Sequence, residues 1–275
     1  MPRINVGAIT LNYDEQGTGE PLLLIVGYGG SSANLLPEYL AAFARTFRVI
    51  TFDNRGTGQS DLFEGPTSIV QMADDAAGLL DALGVERTHV MGTSLGGYIA
   101  QELVLRHPDN VAGLVLACTH PGRPHMVEPA HEVLAMIAPD VGAGLDPREA
   151  RKISWGAQYT PEFIAANGDF LDAVFERVAA HPTPIATRAR QMEAIRSWKG
   201  SHDRLHALTA PTLILTGERD VLIVPENARI LHERIAGSRL HVIKDAAHMF
   251  HHSHPEETVR VVTEFLTSCG GRTEG

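Results

Sequence analysis

The run Val90-Met91-Gly92-Thr93-Ser94-Leu95-Gly96-Gly97 sets one serine between a short apolar stretch that reads as a strand and a segment that reads as a helix. A sharp strand-to-helix turn of this kind holds the serine hydroxyl clear of the backbone. It also forces strained dihedrals at the serine and crowds the residues two before and two after it, where Gly92 and Gly96 stand. The Gly-x-Ser-x-Gly pattern has only modest specificity by itself, so the flanking strand and helix give it its weight.

Several short apolar runs point to a mainly parallel sheet. Ala8 to Tyr13 alternates apolar and polar residues, and Gly17-Thr18-Gly19-Glu20-Pro21 supplies turn chemistry before the continuous run Leu22-Leu23-Leu24-Ile25-Val26. This order predicts an opening hairpin and then a buried central strand. Further runs at 48–52, 89–91, 113–117 and 212–216 are each separated by helix-like spans, as strands buried on both faces require. Helical spacing is clear in Ile69, Met72, Ala73, Ala76, Leu79, Leu80 and Leu83, which end at Gly84; Tyr98 to Arg106 and Pro255 to Leu266 also read as helices.

Between Pro121 and His206 the strand-like runs disappear, and helix-compatible stretches alternate with prolines, among them Pro147, Pro161 and Pro184. Because the strands resume at Thr212, these residues are expected to form a helical insertion. The expected organisation is a core of residues 1–120 and 207–275 with an inserted cap of residues 121–206. The closing run from Gly270 to Gly275 reads as a frayed tail.

The 275 residues are 44% hydrophobic, enough for a sizeable core, and 23 Lys plus Arg against 33 Asp plus Glu give a net charge of −10. That charge repels phosphate backbones and acidic membrane surfaces, so neither nucleic acid nor a membrane is expected as a partner. The first residues lack the basic start and apolar run of a secretion signal, which predicts a cytoplasmic protein. The oligomeric state is left open, a homodimer included.

Cys118 and Cys269 have no Cys-x-x-Cys spacing, which argues against a metal site or a disulfide framework, and Cys118 is expected to pack at a strand end. His248, His251, His252 and His254 crowd one segment, but no ligand set completes them at a familiar spacing. The expectation is no metal and mostly solvated histidines.

A serine nucleophile needs a base to take its proton and a carboxylate to orient that base. Asp220, in Thr216-Gly217-Glu218-Arg219-Asp220, follows one predicted strand, and His248 follows the strand-like Leu240-His241-Val242-Ile243. Glu218 is the rival acid, and His251 or His252 the rival base. A histidine that comes directly off the strand reaches the sheet edge best, which favours His248. The chain order Ser94, Asp220, His248 separates this arrangement from those of chymotrypsin and subtilisin. Two backbone amides suit an oxyanion: Leu95, at the start of the helix after the serine, and Tyr28, in the glycine-rich run Val26-Gly27-Tyr28-Gly29-Gly30.

The segment Asp53-Asn54-Arg55-Gly56-Thr57-Gly58-Gln59-Ser60 resembles the Asp-x-Arg-Gly-x-Gly-x-Ser loop of the α/β-hydrolase superfamily, and Gly92 to Gly97, Gly217 to Asp220 and Ala247-His248 match its other landmarks. The resemblance spans nearly the whole chain and is strongest to small carboxylesterases and enol-lactone hydrolases. It implies an α/β fold with an eight-stranded, mainly parallel sheet wrapped by helices, a helical cap, a Ser-His-Asp triad and no cofactor. One departure is visible. Many relatives carry His-Gly where Val26-Gly27 stands, so the backbone donor survives without the histidine's support.

A serine nucleophile argues against dehalogenase and epoxide-hydrolase chemistry, which needs an aspartate. The expected function is a serine hydrolase acting on a small carboxylic ester or lactone through an acyl-enzyme on Ser94. The alternatives are carbon–carbon hydrolysis of vinylogous diketones with the same triad, and a slow-turnover ligand-binding signalling protein. In the insertion, Met126, Met136, Trp155, Tyr159, Phe163 and Trp198 supply either a cavity wall or the insertion's own core, and Arg123, His125 and Arg151 could meet an acidic substrate.

Overall fold

The computed structural model describes residues 2–137 and 145–270; the tail from residue 271 and part of the insertion lie outside them. Eight strands form the sheet: β1 (Arg3–Asn5), β2 (Thr10–Gln16), β3 (Glu20–Ile25), β4 (Phe47–Phe52), β5 (Thr88–Thr93), β6 (Val111–Ala117), β7 (Thr212–Gly217) and β8 (Arg239–Ile243). Their spatial order is β1-β2-β4-β3-β5-β6-β7-β8. β2 runs antiparallel to β1 and β4, and the pairs from β4 through β8 are parallel. The opening hairpin is thus β1 with β2, and β3 pairs instead with β4 and β5.

Helices α1 (Pro37–Phe43), α2 (Ile69–Ala82) and α3 (Leu95–Arg106) lie in the first half of the chain. Because side chains alternate across a strand, the apolar run of β3 feeds two cores. Leu23 and Ile25 pack with Met72, Leu79 and Ile99 on the α2–α3 face, whereas Leu22 and Leu24 pack with Leu40, Phe43 and Leu266 on the other. Both faces of the central strands are therefore covered, as parallel strands with helical crossovers require.

After β6 the chain leaves the sheet and returns only at Thr212. The described elements of this excursion are helical: α4 (His131–Ile137), α5 (Pro147–Gln158), α6 (Pro161–Ala166), α7 (Gly168–Ala179) and α8 (Ile185–Ser197), with a 3₁₀ turn at His202–Ala207. Pro147 and Pro161 begin helices here; each occupies the first helical position, behind the N-caps Asp146 and Thr160. The chain closes with α9 (Glu226–Arg234), α10 (Phe250–Ser253) and α11 (Pro255–Gly270). Among the described residues no helix is long and apolar enough to cross a membrane.

The strand order changes direction at β3. The chain moves outward from β3 to β4 and then crosses back to place β5 on the other flank of β3. Loops leaving the carboxyl ends of β3 and β5 consequently diverge and open a crevice, the usual ligand position in such sheets. Tyr28 and Ser94 lie on those two loops.

Candidate active site

Ser94 adopts φ 56° and ψ −119°, a left-handed conformation that a residue with a side chain rarely takes. The strain is held from several sides. Its amide donates to the Ala117 carbonyl at 2.9 Å, and its own carbonyl accepts from Thr119 Oγ1 at 2.9 Å. A Cβ at Gly92 would collide with the Gly96 carbonyl, and one at Gly96 with the Ile25 carbonyl, so the elbow closes only with glycine at both places. Leu95 begins α3, where backbone amides lack an intrahelical acceptor and the helix dipole favours negative charge.

The loop after β3 lies against the serine: a Cβ built on Gly27 would stand 3.2 Å from Ser94 Cβ and 3.7 Å from its Oγ. This puts the run containing Tyr28 beside the hydroxyl. The loop is braced on both flanks. The Gly29 amide donates to Gln191 Oε1 at 2.9 Å, from buried Gln191 on α8, and the Ser31 amide donates to Asn34 Oδ1 at 3.0 Å. Beneath it, Asp53 Oδ1 accepts from the Ser32 amide at 2.8 Å and the Ser32 hydroxyl at 2.9 Å, while Oδ2 accepts from Asn12 Nδ2 at 2.8 Å and the Gln59 amide at 2.9 Å. The aspartate of the Asp-x-Arg-Gly-x-Gly-x-Ser segment is a buried brace for this loop.

Asp220 and His248 meet. Asp220 Oδ1 accepts from the Leu222 and Ile223 amides, both at 2.9 Å, which leaves Oδ2 for His248 Nδ1 at 2.8 Å. Both side chains are buried. The proton on Nδ1 is held by the carboxylate, so in the neutral ring Nε2 carries the lone pair. Burial alone pushes the His248 pKa down, but the Asp220 carboxylate overrides it and holds it well above the ordinary histidine value. Cys118 lies close by: its sulfur, the His248 ring and the Asp220 carboxylate have atoms within 4.8 Å of one another. Burial raises the thiol pKa, so the group beside the histidine is neutral. Glu218 is turned elsewhere, accepting from the Asp245 amide.

The neighbouring histidines are not solvated. His251 and His252 are buried with His248, and each has its own surroundings. His251 sits among the rings of Tyr39, Phe250 and His252. His252 Nε2 lies 3.0 Å from the Asn34 carbonyl and must donate to it, so Nδ1 accepts from the Tyr159 hydroxyl at 2.7 Å. Burial lowers the His252 pKa to about 4. The segment crowds in sequence because one short helix, α10, feeds residues into different layers of the core.

Ser94, Leu95, Tyr28 and His248 all border one cavity of about 470 Å³, large enough for a small organic substrate. Its far wall comes from the helical excursion. Met126 and Trp198 line it, whereas Trp155 and Tyr159 pack with Leu171, Phe163 included, as that region's own core. Arg123 and Arg151 line it too, while His125 stacks on His202 with ring centres 3.7 Å apart.

One polar group was not legible in the sequence. The Gly122 amide donates to His120 Nδ1 at 3.0 Å, so Nε2 carries the ring proton and donates to the Tyr98 hydroxyl at 2.6 Å. Burial lowers the His120 pKa to about 3, which keeps the ring neutral. Tyr98 lies one helical turn beyond Ser94, on the same face of α3, and also borders the cavity.

The family model for the alpha/beta hydrolase fold matches residues 20–255. The chain is an α/β hydrolase. Among its curated relatives, a candidate carbamate hydrolase, RutD of Azorhizobium caulinodans, is 32% identical over 250 residues, covering 91% of this chain and 92% of that protein. A candidate non-heme bromoperoxidase, BpoC of Mycobacterium tuberculosis, is 31% identical over 271 residues, covering 94% and 98%. Among solved structures, the esterase RhEst1 from Rhodococcus sp. ECU1013 superposes with a TM-score of 0.84 at 26% identity, covering 98% of each chain. This α/β hydrolase is thus similar, over more than nine-tenths of its length, to proteins of differing named activity.

Proposed function

We propose that this α/β hydrolase cleaves small carboxylic esters or lactones through an acyl-enzyme on Ser94, with His248 as general base and acid, and Asp220 orienting His248. The observation that carries the reading is the Asp220–His248 contact of 2.8 Å opening into the same cavity as a serine held at φ 56°. The likeness to an esterase of 26% identity supports the ester class.

In the acylation step, Ser94 Oγ attacks the carbonyl carbon and its proton passes to His248 Nε2. The carbonyl electrons move onto oxygen, where the Leu95 and Tyr28 amides donate to the oxyanion. Collapse expels the alkoxide, which takes the proton from His248 and departs as an alcohol, or stays tethered when the substrate is a lactone. Water then attacks the acyl-enzyme by the same route and releases the acid. Asp220 keeps its negative charge throughout and stabilises the imidazolium formed in each half-reaction. The helical excursion acts as the cap that roofs the cavity.

A fluorophosphonate probe should label Ser94, and 4-nitrophenyl butyrate should be turned over with a burst of nitrophenol. In Ser94→Ala both signals should vanish. Full turnover by that variant would refute the reading. Cleavage of carbamates or vinylogous diketones in a panel where esters and lactones stay intact would keep the nucleophile and replace the substrate class.

A further inference from the structure

The cavity carries charge that acyl transfer does not use. Its described wall holds four arginines, Arg123, Arg151, Arg188 and Arg196, against one carboxylate, Glu128, in a chain whose net charge is −10. A cleft with low-dielectric walls focuses such a local excess and raises the concentration of anions inside it.

The four arginines differ in what they face. Arg123 Nη1 lies 2.8 Å from Glu128 Oε1, with both side chains exposed at the rim. Arg196 is exposed. Arg188 runs its methylenes along Gly29. Arg151 is half-buried, and among the described residues its guanidinium has no ion pair. The groups its charge reaches are the Tyr159 hydroxyl and the His252 ring, both uncharged near neutral pH. Burial lowers the pKa of Arg151, and among the described residues no carboxylate acts against it.

Its placement ties it to the reacting groups. Arg151, Ser154 and Gln158 stand at i, i+3 and i+7 on one face of α5, and all three border the cavity. The Gln158 carbonyl accepts from the Met249 amide at 2.9 Å, next to His248. This helix face is thus anchored to the loop that carries the general base.

We propose that Arg151 is the recognition group for a carboxylate on the substrate, so that the enzyme prefers half-esters or lactones of dicarboxylic acids to neutral esters of the same shape. The inference rests on the reading of Ser94 as nucleophile. A planar guanidinium offers paired donors that match a carboxylate in a bidentate fit, and the partly desolvated cation gains a counter-charge that no described residue supplies.

The test compares 4-nitrophenyl hemiglutarate with 4-nitrophenyl 5-methylhexanoate, in which an isopropyl group replaces the carboxylate. The wild-type ratio of kcat/KM should favour the hemiglutarate. It should fall at least tenfold in Arg151→Met and recover in part in Arg151→Lys. Calorimetric titration of the wild type with glutarate and with uncharged glutaramide gives a readout that needs no turnover and no variant; glutarate alone should bind. An unchanged ratio in folded Arg151→Met, or equal binding of the two titrants, would overturn the inference. If neither ester is hydrolysed, the nucleophile reading fails, while selective glutarate binding would still support the carboxylate site.

Discussion

Asp220 presents one carboxylate oxygen to two backbone amides and the other to His248 Nδ1 at 2.8 Å, so a single buried side chain fixes both the loop it stands on and the tautomer of the imidazole. Asp220→Asn keeps the shape but can turn an N–H toward the ring and invert its tautomer. A drop in kcat on the order of 10³–10⁴ is expected, with the melting temperature changed far less. Steady-state kinetics with thermal denaturation checks both halves of the statement.

The pH profile follows from the same pair. Protonated His248 cannot accept the Ser94 proton, and its pKa lies well above 6.5. Log kcat/KM should therefore rise with pH through an acid limb whose midpoint is above 6.5. Removing the Asp220 charge should move that limb to lower pH. A limb centred near 5 in the wild type would contradict the assignment of His248 as base.

Acid should unfold the protein through other histidines. Burial holds His120 and His252 at pKa values of about 3 and about 4 in the fold, against 6.5 for an ordinary histidine. Between pH 6.5 and those values the unfolded chain takes up protons that the native state refuses, so stability present above 6.5 is lost as pH falls. Each histidine should remove about 1.4 kcal/mol per pH unit across its window. Urea unfolding at pH 7.0, 5.5 and 4.5 measures the slope.

Gln191→Ala should uncouple the excursion from the loop after β3. Its Oε1 accepts the Gly29 amide at 2.9 Å, and the lost acceptor leaves a partly buried N–H unpaired. A cost of about 1–3 kcal/mol is expected if the loop holds its place, or a looser loop if it moves. In either case kcat should fall by about tenfold or more, because the Tyr28 amide is the next residue along. Loss confined to KM would argue against this role.

Asp53→Ala should act on stability. The carboxylate accepts four hydrogen bonds from Ser32, Gln59 and Asn12, and its removal leaves the Ser32 and Asn12 donors buried without an acceptor. Destabilisation of roughly 3–5 kcal/mol is expected, read by chemical denaturation.

The local chemistry of the elbow was open to sequence reading because it is local. Gly92 and Gly96 flank Ser94 at fixed spacing, and the apolar run before it and the helical pattern after it are short-range signals. The order Ser94, Asp220, His248 was equally plain. The alternating burial of Leu22, Leu23, Leu24 and Ile25 follows from the period of a strand, once both faces are covered.

What the chain order could not decide was which distant groups share a cavity. Cys118 packs at the end of β6 as expected, and it lies beside the His248 and Asp220 pair because β6 and β7 are neighbours in the sheet. His251 and His252 read as surface residues, and packing buries them. Gln191 reaches Gly29 across 162 positions. Hydrophobic periodicity and turn chemistry act over a few residues, so the sequence by itself determined the elements and the elbow. The reversal of strand order at β3 and the fold-back of the helical excursion are long-range events, and only they determined that Ser94, His248, Tyr98 and Arg151 line the same space.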